Sequence, residues 1–177
     1  MIMKRIIVFS ALALLICSTS CKKIDQLLTF TISNEDSITI PATSPLNLPI
    51  NFLTPNNTTN SSEAFTNNNT DANHVKNIYL KSLQLTITNP ANQNFNFLKS
   101  INIYISTDSS NEILLASLTT IPQNVNSIAL VPTQAALDVY VKASSYNLRT
   151  QITTDQGLSQ DVTVVADSKF QVTAKVL

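Results

Sequence analysis

The fold is decided by residues 75–89, which read VKNIYLKSLQLTITN. Ile78 and Leu80 lie in one phase and Leu83, Leu85 and Ile87 lie in the other, so the inward face changes across Lys81 and Ser82. Alternation with a period of two is typical of a half-buried β-strand. One extra residue in a β-bulge restores the register after such a change of phase. The stretch therefore predicts a long strand with a bulge at Lys81–Ser82.

A second long apolar run follows within a few residues. Phe95, Phe97, Ile101, Ile103 and Ile105 share one phase. The intervening Asn89-Pro90 is typical of a turn. The two runs together predict a hairpin at the centre of a sheet.

The same alternation recurs along most of the remaining chain. Only residues 133–137 suggest a helix, of one turn at most, so no helices are available to cover a parallel sheet. We predict an all-β antiparallel β-sandwich of the immunoglobulin-like or Greek-key type, with a closed barrel as the alternative. The shorter predicted strands are 28–32, 38–40, 46–52, 112–118, 128–131, 137–141, 148–152, 162–166 and 170–176.

One domain accounts for residues 28–177, since a chain of this length is typical of a single core. Within the domain, residues 54–73 are rich in Asn, Thr and Ser and carry few apolar side chains. Such a segment buries too little surface to offset the entropy of ordering. We predict an exposed polar loop there, with Phe65 as a packing anchor.

Gly157 is the only glycine among 177 residues. Phosphate-binding loops and dinucleotide fingerprints need several glycines at fixed spacing, so both are excluded. A formal net charge of zero also argues against a nucleic-acid partner. Asn and Asp tolerate the left-handed backbone best after glycine. We therefore expect sharp reversals at Asn34-Glu35, Asn89-Pro90 and Ser110-Asn111, and a hairpin closed by Gly157.

Residues 1–20 have the pattern of a signal peptide, which predicts an N-terminal signal helix. Lys4 and Arg5 precede an apolar run of about eleven residues from Ile6 to Ile16. A membrane-spanning helix needs about eighteen or more apolar residues. The segment therefore predicts export rather than a transmembrane anchor.

The residues after the apolar run carry a family resemblance. Ser18-Thr19-Ser20-Cys21 resembles a lipobox in the form common among Bacteroidota lipoproteins. The resemblance implies cleavage before Cys21 and a lipid on that cysteine, which would anchor the domain through a tether, residues 21–27. Lys22 and Lys23 after the cysteine resemble the residues that direct lipoproteins to the outer membrane. Whether the protein faces the periplasm or the cell surface stays open. The mature domain resembles uncharacterised β-sandwich lipoproteins of the same phylum.

Candidate sites for chemistry are few. Removal of the signal leaves Cys21 without an intramolecular disulfide partner. His74 is the only histidine, and it lacks the partners that metal binding or acid-base catalysis needs. We expect no catalytic residue, no metal, no cofactor and no enzyme activity.

Three residues are candidates for contact or modification. Tyr79 and Tyr104 lie on the outward phase of the two long strands, where they would form a small exposed patch for a ligand. Asp36-Ser37-Ile38 resembles the sites at which Bacteroidota attach O-glycans to exported proteins, which makes Ser37 a candidate O-glycosylation site.

The sequence thus predicts a lipid-anchored envelope protein with a non-catalytic binding, adhesive or structural role, and with an envelope protein or a glycan as partner. Two alternatives stay open. The chain is a subunit that assembles by strand addition through residues 169–177, or it carries an apolar ligand between its sheets.

Overall fold

A computed structural model describes residues 28–174, which form eight strands, two short helices and one turn of 3₁₀ helix at Phe95–Phe97. The strands are β1 (Thr29–Ile40), β2 (Pro49–Thr58), β3 (Val75–Asn89), β4 (Leu98–Ser106), β5 (Ile113–Leu118), β6 (Ser127–Pro132), β7 (Ser145–Thr154) and β8 (Val162–Ala174). The helices are α1 (Ser61–Asn67) and α2 (Asp138–Val141). The predicted signal helix and tether, residues 1–27, lie outside the described residues.

The strands follow the order β1-β8-β3-β6-β5-β4-β7-β2, and each neighbouring pair is antiparallel. We call β1-β8-β3-β6 sheet A and β5-β4-β7-β2 sheet B. β5 and β6 join the two sheets through only two residue pairs. β1 and β2 are therefore the two edge strands of this order.

The inward residues of both sheets form one buried apolar core, to which Leu85 of sheet A and Ile103 of sheet B contribute with no exposed surface. This arrangement confirms the prediction of an all-β antiparallel sandwich. The strand order, with eight strands in two sheets, is that of a jelly roll, which combines two Greek keys. Within the described residues no helix is both long and apolar enough to cross a membrane.

The predicted central hairpin is wrong. β3 pairs with β6 and β8 in sheet A, whereas β4 pairs with β5 and β7 in sheet B. An alternating pattern identifies the buried face of a strand but says nothing about its hydrogen-bonded neighbour. The predicted bulge in β3 is confirmed, because the register with β8 shifts between Leu80 and Ser82.

Two strands are longer than predicted. The predicted strands 28–32 and 38–40 both belong to β1, and the predicted strands 162–166 and 170–176, the latter as far as Ala174, both belong to β8. β1 continues through Asn34 and Glu35, where a turn was expected, and β8 continues through Ser168. Polar residues occupy inward positions at these places, since Asp36 is 9% exposed and Ser168 is 1% exposed. The polar residues interrupt the apolar pattern without interrupting the strand.

Residues 54–73 are more ordered than a polar loop. β2 extends to Thr58, and α1 occupies Ser61–Asn67. The anchoring role of Phe65 is confirmed, because its ring is 2% exposed and meets Phe30 edge-on at 6.3 Å between centroids. Burial of this one ring orders a segment whose composition alone favours a loop.

The predicted helix at residues 133–137 is wrong. The predicted strand at residues 137–141 is wrong as well, because Asp138–Val141 form the short helix α2. Leu137 is 1% exposed, and its backbone N–H donates to the Ile78 carbonyl at 2.8 Å. This contact with β3 holds the chain before α2 against sheet A.

The shortage of glycine is met by asparagine. All five non-glycine residues with positive φ in the described chain are asparagines: Asn47, Asn56, Asn69, Asn77 and Asn124. The expected reversals after Asn89 and around Ser110–Asn111 are confirmed. The predicted Gly157 hairpin is wrong, because Gly157 connects β7 of sheet B with β8 of sheet A and has no positive φ.

Candidate functional site

A polar cleft lies between the edge strands β1 and β2. Its volume is about 220 Å³. We call it the edge cleft, and its lining residues are Asn34, Glu35, Asp36, Asn56, Asn57 and Thr58. Every one of these side chains is polar, in contrast to the apolar core behind them.

Asp36 is the buried acid of the edge cleft. Its position on the inward face of β1 leaves it 9% exposed. Oδ2 accepts a hydrogen bond from Asn34 Nδ2 at 3.1 Å, and no described cationic side chain forms an ion pair with the carboxylate. Removal from water raises the pKa of Asp36, and the Asn34 hydrogen bond only partly opposes this effect. A carboxylate in this position costs stability, which is characteristic of functional sites.

Asn34 connects the two sheets behind the cleft. Besides its bond to Asp36, Nδ2 donates to the Tyr146 hydroxyl of β7 at 2.9 Å. Tyr146 is 3% exposed and meets the Phe170 ring edge-on. Burial, and then the nearby charge of Asp36, raise the pKa of the Tyr146 phenol. The phenol therefore stays protonated and keeps an O–H donor in the core.

A bulge in β2 forms the opposite wall. The register with β7 shifts between Thr54 and Asn57, and Asn56 takes a φ of 53°. The Asn56 backbone N–H donates to Asn147 Oδ1 at 2.9 Å, which holds the bulge against β7. Asn57 Nδ2 is buried without a hydrogen-bond partner in the described chain. Such a donor costs free energy until it meets an acceptor.

A small cavity lies behind Asn34. Its volume is about 10 Å³, and Asn34, Tyr146 and Ser61 contribute to its lining. Ser61 Oγ is also buried without a described partner. A second cavity of about 10 Å³ lies deeper, among apolar residues that include Leu85 and Phe95. Each has room for about one water molecule, far below the roughly 300 Å³ of a small-ligand pocket.

A second polar cluster covers the outer face of sheet B. Arg149 of β7 donates from Nε and Nη2 to both carboxylate oxygens of Glu112, at 2.8 and 2.6 Å. Nη1 donates to Asn51 of β2 at 2.6 Å, and Cζ lies 3.9 Å from the centroid of the Tyr104 ring. The guanidinium of this β7 residue thereby contacts β2, β4 and the residue directly before β5.

The two tyrosines of the predicted patch are not brought together. Tyr79 lies on β3 of sheet A, and Tyr104 lies on β4 of sheet B, so they belong to opposite sides of the sandwich. Arg149 also covers one face of the Tyr104 ring. The two residues therefore do not form a common aromatic platform.

The other predicted residues occupy varied places. Ser37 is exposed on β1, directly after Asp36. Cys21 lies outside the described residues. His74 Nδ1 lies 2.9 Å from Asp71 Oδ1 at the surface, and the hydrogen bond from His74 lowers the pKa of Asp71. The described chain contains no group of three or more His, Cys, Asp or Glu side chains arranged to hold a metal.

Sequence reasoning missed the edge cleft. The sequence predicts a turn at Asn34-Glu35 and a polar loop that includes Asn57, whereas the structure places Asn34, Asp36 and Asn57 at one cleft. One signal was present: Phe30, Ile32, Ile38 and Ile40 share a phase that places positions 34 and 36 on the same inward face. An unbroken phase on both sides of a polar pair indicates a strand with buried polar residues.

Comparisons with known proteins add little to this geometry. No protein-family model matches the chain, and a search of curated proteins also finds no match. Among solved structures, Desmodium yellow mottle tymovirus matches with a TM-score of 0.30 and 12% identity, over 84% of this chain and 90% of that chain. Turnip yellow mosaic virus at 100 K matches with a TM-score of 0.28 and 10% identity, over 84% and 95%. TM-scores this low carry no functional argument.

Proposed function

We propose that this chain is a lipid-anchored protein of the bacterial cell envelope with a non-catalytic binding role served by the edge cleft. The observation that carries the binding role is Asp36, a buried carboxylate without an ion-pair partner in the described chain, at a cleft lined only by polar side chains. Because this group costs stability, its place at an open cleft favours a role in recognition.

The anchoring part of the proposal rests on the lipobox resemblance at Ser18–Cys21 and on chain length. Only six residues, 22–27, separate Cys21 from Leu28, so the step from one to the other is seven residues long. A fully extended chain of seven residues spans at most about 25 Å. A lipid on Cys21 would therefore hold the sandwich close to the membrane surface, with an outer-membrane location favoured by Lys22 and Lys23.

Mass spectrometry of the mature N-terminus tests the anchor. We expect the wild-type chain to begin at Cys21 and to carry lipid, and we expect Cys21→Ser to lose both the lipid and membrane association. Cys17→Ser is the matched control. Because Cys17 lies within the signal segment, its substitution should leave cleavage and lipidation at Cys21 unchanged. A mature chain without lipid, or a Cys21→Ser variant still bound to membranes, would contradict the anchor. Protease treatment of whole cells then distinguishes surface from periplasm.

Binding of the purified mature chain to isolated envelope material tests the role of the edge cleft. We expect the double variant Asp36→Asn and Asn57→Ala to bind less material than the wild-type chain. Asp167→Asn, which removes an exposed acid on β8, is the control. Equal binding by the wild-type chain and the double variant would contradict a binding role for the cleft.

Assembly by strand addition is a second candidate, but through a different strand from the one expected. Residues 169–174 belong to β8, which is bonded on both sides by β1 and β3. β1 instead offers a twelve-residue edge without proline. Such an edge is a template for another strand. Light scattering across a concentration series tests this candidate, and a monomer at every concentration would contradict it.

A further inference from the structure

We infer that the outer face of sheet A contacts the anionic headgroups of the membrane at the end of the sandwich that leads into the tether. The inference rests on the proposed lipid anchor and adds the orientation in which the anchored domain lies. We call the contact surface the lysine face. It consists of three lysines and the side chains between and beside them: Lys76, Lys81, Lys169, Tyr79, Gln171 and Val131.

Strand register places two of these lysines on the same side of sheet A. Lys76 of β3 pairs with Thr173 of β8, and Lys169 of β8 pairs with Ser82 of β3. Both lysines are exposed at outward positions of their strands. Successive residues of an antiparallel strand rise about 3.4 Å, so the two rows, four residues apart along β8, are separated by about 14 Å.

The bulge in β3 turns Lys81 to the same side. Leu80 and Leu83 are both buried, and the two residues between them, Lys81 and Ser82, are both exposed. In a regular strand the side chains alternate, so one of these two residues would lie in the core. The register shift between Leu80 and Ser82 keeps both outside. Lys81 therefore joins the other two lysines on the outer face.

The positive charge of the lysine face is not neutralised within the described chain. None of its three lysines forms an ion pair with a described acid. Two acids lie near the start of β3, but each has a partner of its own. Asp138 contacts Lys142 at 3.4 Å, and Asp71 contacts His74 at 2.9 Å. The three ammonium groups are therefore available to an external anion.

Charge is unevenly distributed along the outer face of sheet A. The exposed acids of this face, Glu35 and Asp167, are paired in register. They lie two residues beyond Lys169, on the side away from the tether. The half of the face next to the tether is therefore basic, and the acids begin only beyond it. An anionic surface attracts the basic half and repels the rest.

The tether meets the sandwich at the basic end. The Leu28 carbonyl accepts a hydrogen bond from the Ala174 backbone N–H at 3.2 Å, and Ala174 pairs with Val75 of β3. Lys76 follows Val75, and the farthest lysine row lies five residues from Ala174, about 17 Å. The seven-residue step from Cys21 to Leu28 spans at most about 25 Å. A lipid on Cys21 therefore keeps the whole lysine face within reach of the membrane.

The other side chains of the lysine face suit a membrane interface. Tyr79 is partly exposed and lies opposite Gln171, between the two lysine rows. Tyrosine is enriched where a membrane meets water. Val131 of β6 is 63% exposed and follows Leu130, which pairs with Leu83 of β3. Because the lysine rows are about 14 Å apart, an extended anionic surface fits them and a single phosphate group does not.

Amine labelling on vesicles tests this orientation. The mature chain, residues 21–177, is coupled through the Cys21 thiol to a maleimide lipid, since Cys21 is its only cysteine. The vesicles contain either phosphatidylcholine alone or phosphatidylcholine with about a quarter phosphatidylglycerol, which makes them anionic. A brief pulse of an acetylating reagent is followed by mass spectrometry of each lysine.

On the anionic vesicles we expect acetylation of Lys76, Lys81 and Lys169 to be at least about fivefold slower than on the neutral vesicles. Lys99 is the internal control. It follows Leu98, which pairs with Thr154 at the end of β7 that leads into the far end of β8, away from the tether. Lys99 should react equally on both vesicles. High salt should remove the difference at the other lysines, because it screens the attraction.

Variants assign the contact to the lysine face. We expect the triple variant Lys76→Gln, Lys81→Gln and Lys169→Gln to weaken binding of the lipid-free Cys21→Ser chain to anionic vesicles at least about tenfold. Each lysine near an anionic surface strengthens binding about fivefold. Lys99→Gln is the matched control and should leave binding unchanged. Circular dichroism checks that both variants fold, as expected for substitutions at exposed positions.

Three results would overturn the inference: equal acetylation of the three lysines on both vesicles, equal protection of Lys99, or a triple variant that binds as the wild-type chain does. Coupling to a maleimide lipid does not depend on lipidation in the cell. If Cys21 carries lipid in cells while the three lysines stay equally reactive, only the orientation is wrong and the anchor stands. A mature chain without lipid contradicts the anchor itself.

Discussion

Asn34 of sheet A donates a hydrogen bond to the Tyr146 hydroxyl of sheet B, at 2.9 Å across the interior of the sandwich. The same Nδ2 group donates to Asp36 at 3.1 Å. One amide thereby joins a buried phenol to a buried acid at the open side of the fold. This connection couples the open edge cleft to the core, so changes at the cleft affect stability.

Asp36→Asn is expected to stabilise the domain at neutral pH. Because burial raises the pKa of Asp36 in the folded state, the folded chain binds a proton more tightly than the unfolded chain. The contribution of Asp36 to the free energy of unfolding is favourable at low pH and is lost as the pH rises from the ordinary pKa of 3.8 through the raised pKa of the folded state. The variant removes this loss, so we expect its free energy of unfolding to exceed that of the wild-type chain by about 0.5–1 kcal/mol at pH 7.

Urea unfolding at a series of pH values measures this effect. The difference between the variant and the wild-type chain should shrink as the pH falls through the same range. Asp167→Asn is the control on an exposed strand position. A variant that is less stable than the wild-type chain at neutral pH would show that the carboxylate has an unrecognised favourable partner.

Phe65→Ala is expected to destabilise the domain by about 3–5 kcal/mol, since it removes a buried ring and leaves a cavity. Phe65 anchors α1 against Phe30, so the segment between β2 and β3 should also become sensitive to protease. Val139→Ala, at a side chain that is 66% exposed, is the matched control. Chemical denaturation and limited proteolysis measure both effects, and a small loss in stability would mean that α1 does not depend on this ring.

The Arg149–Glu112 pair is expected to show a coupling energy of about 0.5–1 kcal/mol in a double-mutant cycle with Arg149→Met and Glu112→Gln. Both side chains are partly exposed, at 26% and 36%, so solvent screening limits the value. The hydrogen bond from Arg149 lowers the pKa of Glu112. The coupling energy should therefore be complete above the ordinary glutamate pKa of 4.5 and disappear as the pH falls through the lowered pKa of Glu112. A coupling that is independent of pH would contradict this account.

Asn77→Gly is expected to be tolerated better than Asn77→Ala. Asn77 has a φ of 53° within β3, and its side chain makes no hydrogen bond to the described residues. An alanine in this left-handed conformation costs about 1 kcal/mol or more, whereas glycine adopts it without a steric cost. Thermal unfolding of both variants measures the difference. Equal stability would show that the backbone changes conformation at this position.

The sequence predicted strands better than it predicted their neighbours. Leu83, Leu85 and Ile87 were correctly placed on one buried face of β3, with the bulge before them. The partner strands of β3 come from residues more than forty positions away, around Leu130, and from β8. Many strands of this chain offer similar inward rows of Ile, Leu and Val. Local pattern alone therefore cannot rank the pairings.

The edge cleft also depends on contacts between strands that local sequence pattern does not predict. Phe30, Ile32, Ile38 and Ile40 share a phase that includes positions 34 and 36, but the polar residues between them predicted a turn instead of an inward face. Neither the Tyr146 hydroxyl nor the orphaned Asn57 amide can be connected to that face from sequence, because they come from β7 and from a bulge in β2.

By itself, the sequence determined the all-β class, the buried face of most strands, the anchoring role of Phe65 and the use of asparagine where other chains use glycine. Each of these depends on short-range periodicity or on the backbone preference of one residue type. Only the tertiary structure decided the jelly-roll order, the interior position of β8 and the meeting of Asn34, Asp36 and Asn57 at one cleft. These features depend on which sheet each strand joins, and that choice is made by packing across the whole core.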